Sequence, residues 1–159
     1  MMFVLARAAT YSALFIGLLL IYLPERILSS TGISRPPAIG TWQGAGMLLG
    51  ACGAALALTC ILTFVSVGRG TPAPFDPPRR LVVQGPYRFV RNPMYLGAGL
   101  ALTGAALFYQ SIRLLGYAVA FLVITHLFVV LYEEPTLRRT FDGAYETYCA
   151  RVGRWWPKR

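Results

Sequence analysis

Acidic residues are scarce in this chain: six Asp and Glu stand against fifteen Lys and Arg, only 13% of residues are charged, and there is a single histidine. So small a charged share, with 56% hydrophobic residues and a mean hydropathy of +0.55, excludes an ordinary soluble domain and indicates an integral membrane protein. The net charge of +9 raises nucleic acid as a partner. The basic residues, however, sit in segments that flank apolar runs rather than along one amphipathic face. Lipid headgroups and membrane topology account for them, and no nucleic-acid partner is expected. The three cysteines, Cys52, Cys60 and Cys149, lack metal-ligand or redox spacing, so free thiols are expected, with no disulfide framework and no metal.

What the chain has instead is a set of apolar runs. Phe3 to Leu23 is interrupted only by Arg7, Thr10 and Ser12 and meets the roughly 20 residues needed to cross a bilayer. No small-x-small cleavage site follows it, so it reads as a first span rather than a removable signal peptide. Ser29 to Thr41, with Pro36-Pro37, reads as a polar connector. A second span covers residues 42–67, where Gly44, Gly46, Gly50, Ala54 and Ala57 recur at near-helical spacing and permit close packing of helices, including association between copies. Residues 68–93 carry Arg69, Arg79, Arg80, Arg88 and Arg91 against one acid, Asp76, which makes them a cytoplasmic loop by the positive-inside rule.

Residues 94–110 and 114–132 form a third and a fourth span, joined by Gln110-Ser111-Ile112-Arg113 as a tight helical hairpin. The two arginine-rich segments, the loop and the tail from Glu133, then share one face, and both termini are cytoplasmic. Leu137, Phe141, Tyr145 and Tyr148 recur at helical spacing, which predicts an amphipathic helix over 133–152. That helix either lies on the membrane surface, ended by Trp155-Trp156, or acts as a lid over the loop. The expected fold is all-α: one membrane domain over residues 1–159, with four transmembrane helices and a C-terminal interfacial helix, in a bacterial cytoplasmic membrane.

Chemistry is expected where the arginine-rich loop meets the third span, at Gly85-Pro86-Tyr87-Arg88-Phe89-Val90-Arg91-Asn92-Pro93-Met94-Tyr95-Leu96-Gly97-Ala98-Gly99. Its prolines forbid a continuous helix up to Pro93, so the chain arrives as a shaped loop. Glu133 and Glu134 end the fourth span, where acids are costly unless they have water or partners. They are either solvated acids marking a boundary or ligands for a cationic group or an arginine of the loop. His126, seven residues before Glu133, is placed on the same face of a regular helix. It either donates to a neighbouring backbone or serves the substrate. Gly97 and Gly99 suit either helix packing or close approach of a ligand to a helix N-terminus.

Taken in order, three groups of residues resemble the membrane methyltransferase superfamily that contains isoprenylcysteine carboxyl methyltransferases and phospholipid N-methyltransferases. They are Gly85 to Gly97, Glu133-Glu134-Pro135-x-Leu137, and Phe141-x-x-x-Tyr145-x-x-Tyr148 with Arg151-Val152. The resemblance covers residues 81–157. It implies S-adenosylmethionine as methyl donor, with S-adenosylhomocysteine as product, bound on the cytoplasmic side by Tyr87, Asn92, Pro93, Met94, Tyr95, Gly97, Gly99 and Glu133. Glu134, Tyr145 and Tyr148 would complete that site, and a lipophilic small-molecule or lipid acceptor would enter from the bilayer. Asn92 stands where the superfamily commonly has histidine, Asp142 where it has glycine and Gly153 where it has proline. The eukaryotic carboxyl methyltransferases place an arginine just before the acidic pair to hold the acceptor carboxylate, whereas Val129, Val130 and Leu131 are apolar here.

Methyl transfer from a sulfonium is an in-line displacement, served by alignment and exclusion of water. Arg91 and Arg151 are the candidates for positioning an anionic acceptor, and His126 for taking a proton from an amine or thiol. The alternatives are a nicotinamide-dependent membrane reductase with a similar C-terminal half, and a membrane scaffold without catalysis.

Overall fold

The computed structural model describes Thr10 and residues 13–33, 38–68 and 80–158. The start of the first span with Arg7, the Pro36-Pro37 pair, and the loop from Arg69 to Arg79 with Asp76 lie outside the described residues. Among the described residues every regular element is a helix, and an isolated parallel bridge joins Val90 to Gly153. Three helical stretches are long and apolar enough to cross a membrane: Ala13–Ser30 (α1), Thr41–Val67 and Ile112–Arg151. The second comprises Thr41–Thr63 (α2) and a wider turn, Phe64–Gly68. Pro93–Phe108 (α3) is shorter. The third stretch joins Ile112–Phe128 (α4), a π-helical turn Val129–Glu133, and Glu134–Arg151 (α5).

Among the described residues, proline explains two of the three places where the helices widen. Pro24 and Pro135 each lack an N–H and crowd the carbonyl four residues earlier. The chain answers with a π-helical segment immediately upstream, Ile16–Tyr22 in one case and Val129–Glu133 in the other. Having absorbed Pro24, α1 does not stop at Leu23 but continues through Ser29 and Ser30, the start of the expected connector. Leu28 is buried with Ala106 and Leu114, and Ser29 and Ser30 return their hydroxyls to the carbonyls of Arg26 and Ile27.

The hairpin is also tighter than expected. Gln110 takes a positive φ of 50°, so α3 ends at Phe108 and the turn is Tyr109 to Ser111. Ser111 then caps α4 by accepting from the Leu114 N–H at 3.3 Å, and Ile112 and Arg113 belong to the helix.

α3 is the hub of the bundle. It packs on α2 through glycines on both helices: a Cβ on Gly53 would lie 2.5 Å from the Ala101 nitrogen and from the Gly97 carbonyl oxygen. Gly46 and Gly104 meet in the same way two turns along. On its other side Ala98 and Leu102 bury against Ala118 and Phe121 of α4, with Leu19 and Leu20 of α1 beside them. Tyr117 of α4 donates to the Leu19 carbonyl at 2.8 Å and so ties α1 to the hairpin. The start of α3 is thereby fixed between two helices, and the residues around it form the site.

Candidate functional site

The loop reaching α3 is shaped by Gly85, whose φ of 58° sets up a 3-10 turn from Gly85 to Arg88 with Pro86 inside it. The turn pushes Tyr87 into the protein beside Cys60, Val82 and Phe64, with the Tyr87 and Phe64 rings meeting edge-on at 5.2 Å. Burial drives the Tyr87 hydroxyl well above its ordinary pKa, so it stays a neutral phenol. Tyr148 of α5 donates its hydroxyl to the Tyr87 carbonyl at 2.6 Å. Arg91 donates its backbone N–H to the Gly153 carbonyl at 2.8 Å, beside the bridge of Val90 to Gly153. Asn92 is buried and leads into Pro93, the first residue of α3. Its side chain does not cap that helix; it donates from Nδ2 to the Arg154 carbonyl at 3.3 Å. Loop and tail are therefore stitched together backbone to backbone as well as through side chains.

Two neighbouring glutamates end in different surroundings. Glu134 is buried and doubly engaged by Arg154, from Nε at 2.6 Å and Nη2 at 3.0 Å, with Arg91 Nη1 at 3.2 Å. Hydrogen bonding to Glu134 raises the Arg154 pKa further, so this cation is permanent. Arg91 also donates from Nη1 to the Tyr145 hydroxyl at 3.3 Å and to the Cys149 sulfur, while its buried Nε has no acceptor. Glu133 is half-buried and accepts on Oε2 from the Tyr95 hydroxyl at 3.0 Å. Among the described residues it has no ion-pair partner. One carboxylate thus faces two guanidiniums, and the adjacent one faces a phenol alone.

Of the residues singled out from the sequence, the structure gathers Tyr87, Arg91, Asn92, Tyr95, Glu133, Glu134, Tyr145 and Tyr148 around the loop, the start of α3 and α5. Met94 packs against the buried Cys60, Val82 and Tyr87 cluster, and Pro93 is fully buried. Gly97 lies against Gly53 and Ala57 of α2, and Gly99 against Leu122 of α4, so both sit at helix crossings. Arg151 is exposed. His126 is exposed on α4 and accepts on Nδ1 from the Trp155 indole at 3.0 Å. The π-helical turn between His126 and Glu133 breaks the regular register that a shared helix face requires.

Arg154 and Cys149 were not singled out from the sequence, yet both belong to this network. The available signal for Arg154 was slight: an arginine just past the last tyrosine, where Val152 leaves helical geometry and the chain turns back.

A family model described as phospholipid methyltransferase matches residues 42–144. The chain belongs to that family. It is thereby a member of the wider superfamily of membrane methyltransferases, as the motifs of its second half implied. The match runs from α2 to the middle of α5 and takes in the loop, the start of α3, Glu133 and Glu134; Tyr145, Tyr148 and Arg154 lie beyond it. No curated protein and no solved structure matches the chain. Family membership together with the apolar helices makes this phospholipid methyltransferase family member an integral membrane protein whose activity is methyl transfer.

Proposed function

We propose that the protein transfers a methyl group from S-adenosylmethionine to a lipophilic acceptor, a lipid or an apolar small molecule, at the cytoplasmic face of the membrane. The observation that carries this reading is Glu133, a half-buried carboxylate held by Tyr95 with no cation beside it among the described residues. A donor with positive charge on sulfur and on its amino group supplies the missing partner. The donor's own carboxylate suits the arginine side of the site, where the buried Arg91 Nε lacks an acceptor. The residues present therefore fit the donor: Glu133 and Tyr95 for its cationic part, Arg91 for its anionic part. Tyr87, Asn92, Pro93, Met94, Gly97 and Gly99 form the wall from loop to helix, and Glu134, Tyr145 and Tyr148 support it. When bound, the donor supplies an electrophilic methyl group.

The chain's task is alignment and exclusion of water. Pinning Glu133 through Tyr95 presets where the cationic end sits, and the bonds from tail to loop keep solvent off that side. For an anionic acceptor, the exposed Arg151 provides positioning; for an amine or thiol, His126 takes the proton on Nδ1 once the Trp155 indole releases it. The same reading includes four spans. α3 counts as the fourth although its 16 residues rise only about 24 Å, because polar turns containing Asn92 and Gln110 stand at its two ends. α5 lies at the interface, and both termini are cytoplasmic.

The test is label transfer: the purified protein with methyl-labelled S-adenosylmethionine and a total lipid extract. Label in the lipid phase is expected. NADPH consumption without methyl transfer overturns the reading in favour of a reductase.

A further inference from the structure

We propose that Arg154, outside the family-matched segment, is a positioning residue for the donor site and acts through Glu134. The inference rests on the donor-site reading above and adds to it the group that sets the geometry. Arg154 sits just beyond the end of α5, where three connections meet. Its guanidinium grips both oxygens of Glu134, at 2.6 and 3.0 Å. Its carbonyl accepts from Asn92, the residue before α3, at 3.3 Å. The preceding carbonyl, of Gly153, accepts from the Arg91 backbone at 2.8 Å.

This arrangement decides how Arg91 is spent. Glu134 is buried and needs a cation. With Arg154 as a two-point partner, Arg91 is left with one contact to Glu134, at 3.2 Å, and turns toward Tyr145 and Cys149. Without Arg154, Arg91 becomes the sole counter-charge of a buried carboxylate and is drawn fully onto it. Glu133 shares its backbone with Glu134 at the junction of the π-helical turn and α5, so the seating of one glutamate sets the direction of the other. Arg154 thereby keeps Glu133 aimed at Tyr95 and Arg91 available to the donor without touching the donor itself. Lysine, a single-point cation, would restore the charge but not the two-point grip.

The test compares wild type, Arg154→Ala, Arg154→Lys and, as control, Arg139→Ala, which alters an exposed arginine of α5. S-adenosylhomocysteine binding is measured by calorimetry, and methyl transfer from S-adenosylmethionine into total lipid extract as a function of donor concentration. Arg154→Ala is expected to weaken binding and raise the donor KM at least about tenfold, with kcat changed less than about threefold; Arg154→Lys should recover part of that loss, and Arg139→Ala should match wild type. Wild-type affinity in Arg154→Ala overturns the proposal while leaving the donor site standing. So does a loss that falls on kcat alone, or one that lysine does not reduce. Absence of binding in the wild type removes the donor-site reading itself.

Discussion

The seam between α2 and α3 and the knot between loop and tail are both tight, for opposite reasons. In the seam the contact is made by what is missing: at Gly46, Gly53, Gly97 and Gly104 the backbones touch because no Cβ intervenes. In the knot the contact is made by polar groups reaching across long stretches of sequence, as in Tyr148 to Tyr87, Asn92 to Arg154 and Arg154 to Glu134. The seam has no tolerance for added volume, and it fixes the start of α3. Among the described residues the knot carries an unbalanced pairing, two guanidiniums on Glu134 and none on Glu133, and that imbalance is what the proposed donor would use. Packing sets the frame, and the charge left over within it is where the proposed donor site lies.

Variants in the two regions should fail differently. Gly53→Leu should cost about 3 kcal/mol or more through overpacking against Gly97 and Ala101. Thermal unfolding in detergent checks it, and a stability unchanged from wild type would mean the helices are not in backbone contact. Tyr95→Phe removes the hydrogen bond to Glu133 and should weaken S-adenosylhomocysteine binding about tenfold, or about 1.4 kcal/mol, with little change in unfolding temperature. A lowered unfolding temperature with intact affinity would put Tyr95 on the side of the frame rather than the site.

The tail offers two smaller effects. Asp142 interrupts α5 with a φ of 41°, where an L-residue is strained. Asp142→Gly should therefore stabilise the protein by about 1 kcal/mol, read as a rise in unfolding temperature. The ion pair of Arg138 and Glu146 spans that kink and would be retained. Trp155→Phe removes the bond to His126 and should cost only about 0.5 kcal/mol, because both groups are partly exposed. A large loss of label transfer in that variant, with donor affinity kept, would tie His126 and Trp155 to the acceptor.

Much of the frame is legible in the sequence, because its signals are local. Apolar runs mark helices, prolines mark interruptions, and Gly46 and Gly50 announce a close crossing. The misplaced boundaries are equally local in origin: Pro24 and the serines after it looked like a stop, but a π-helical widening upstream lets α1 carry on to Ser30. The site was legible in parts. Tyr87, Asn92, Tyr95 and the two glutamates stood out as a motif, yet their division of labour depends on which arginine reaches which acid. That choice is made by the turn after Val152, which brings Arg154 back to Glu134 and leaves Arg151 outside. No periodicity in the sequence encodes such a return, and the family match ends before it.

The role of Glu133 is best tested by isothermal titration of S-adenosylhomocysteine into the wild-type protein and into Glu133→Ala, with membrane insertion and unfolding temperature measured on both. Saturable binding to the wild type and none to an equally folded, inserted Glu133→Ala is the expected result. Wild-type affinity in Glu133→Ala would contradict it and move the donor away from the carboxylate that Tyr95 holds.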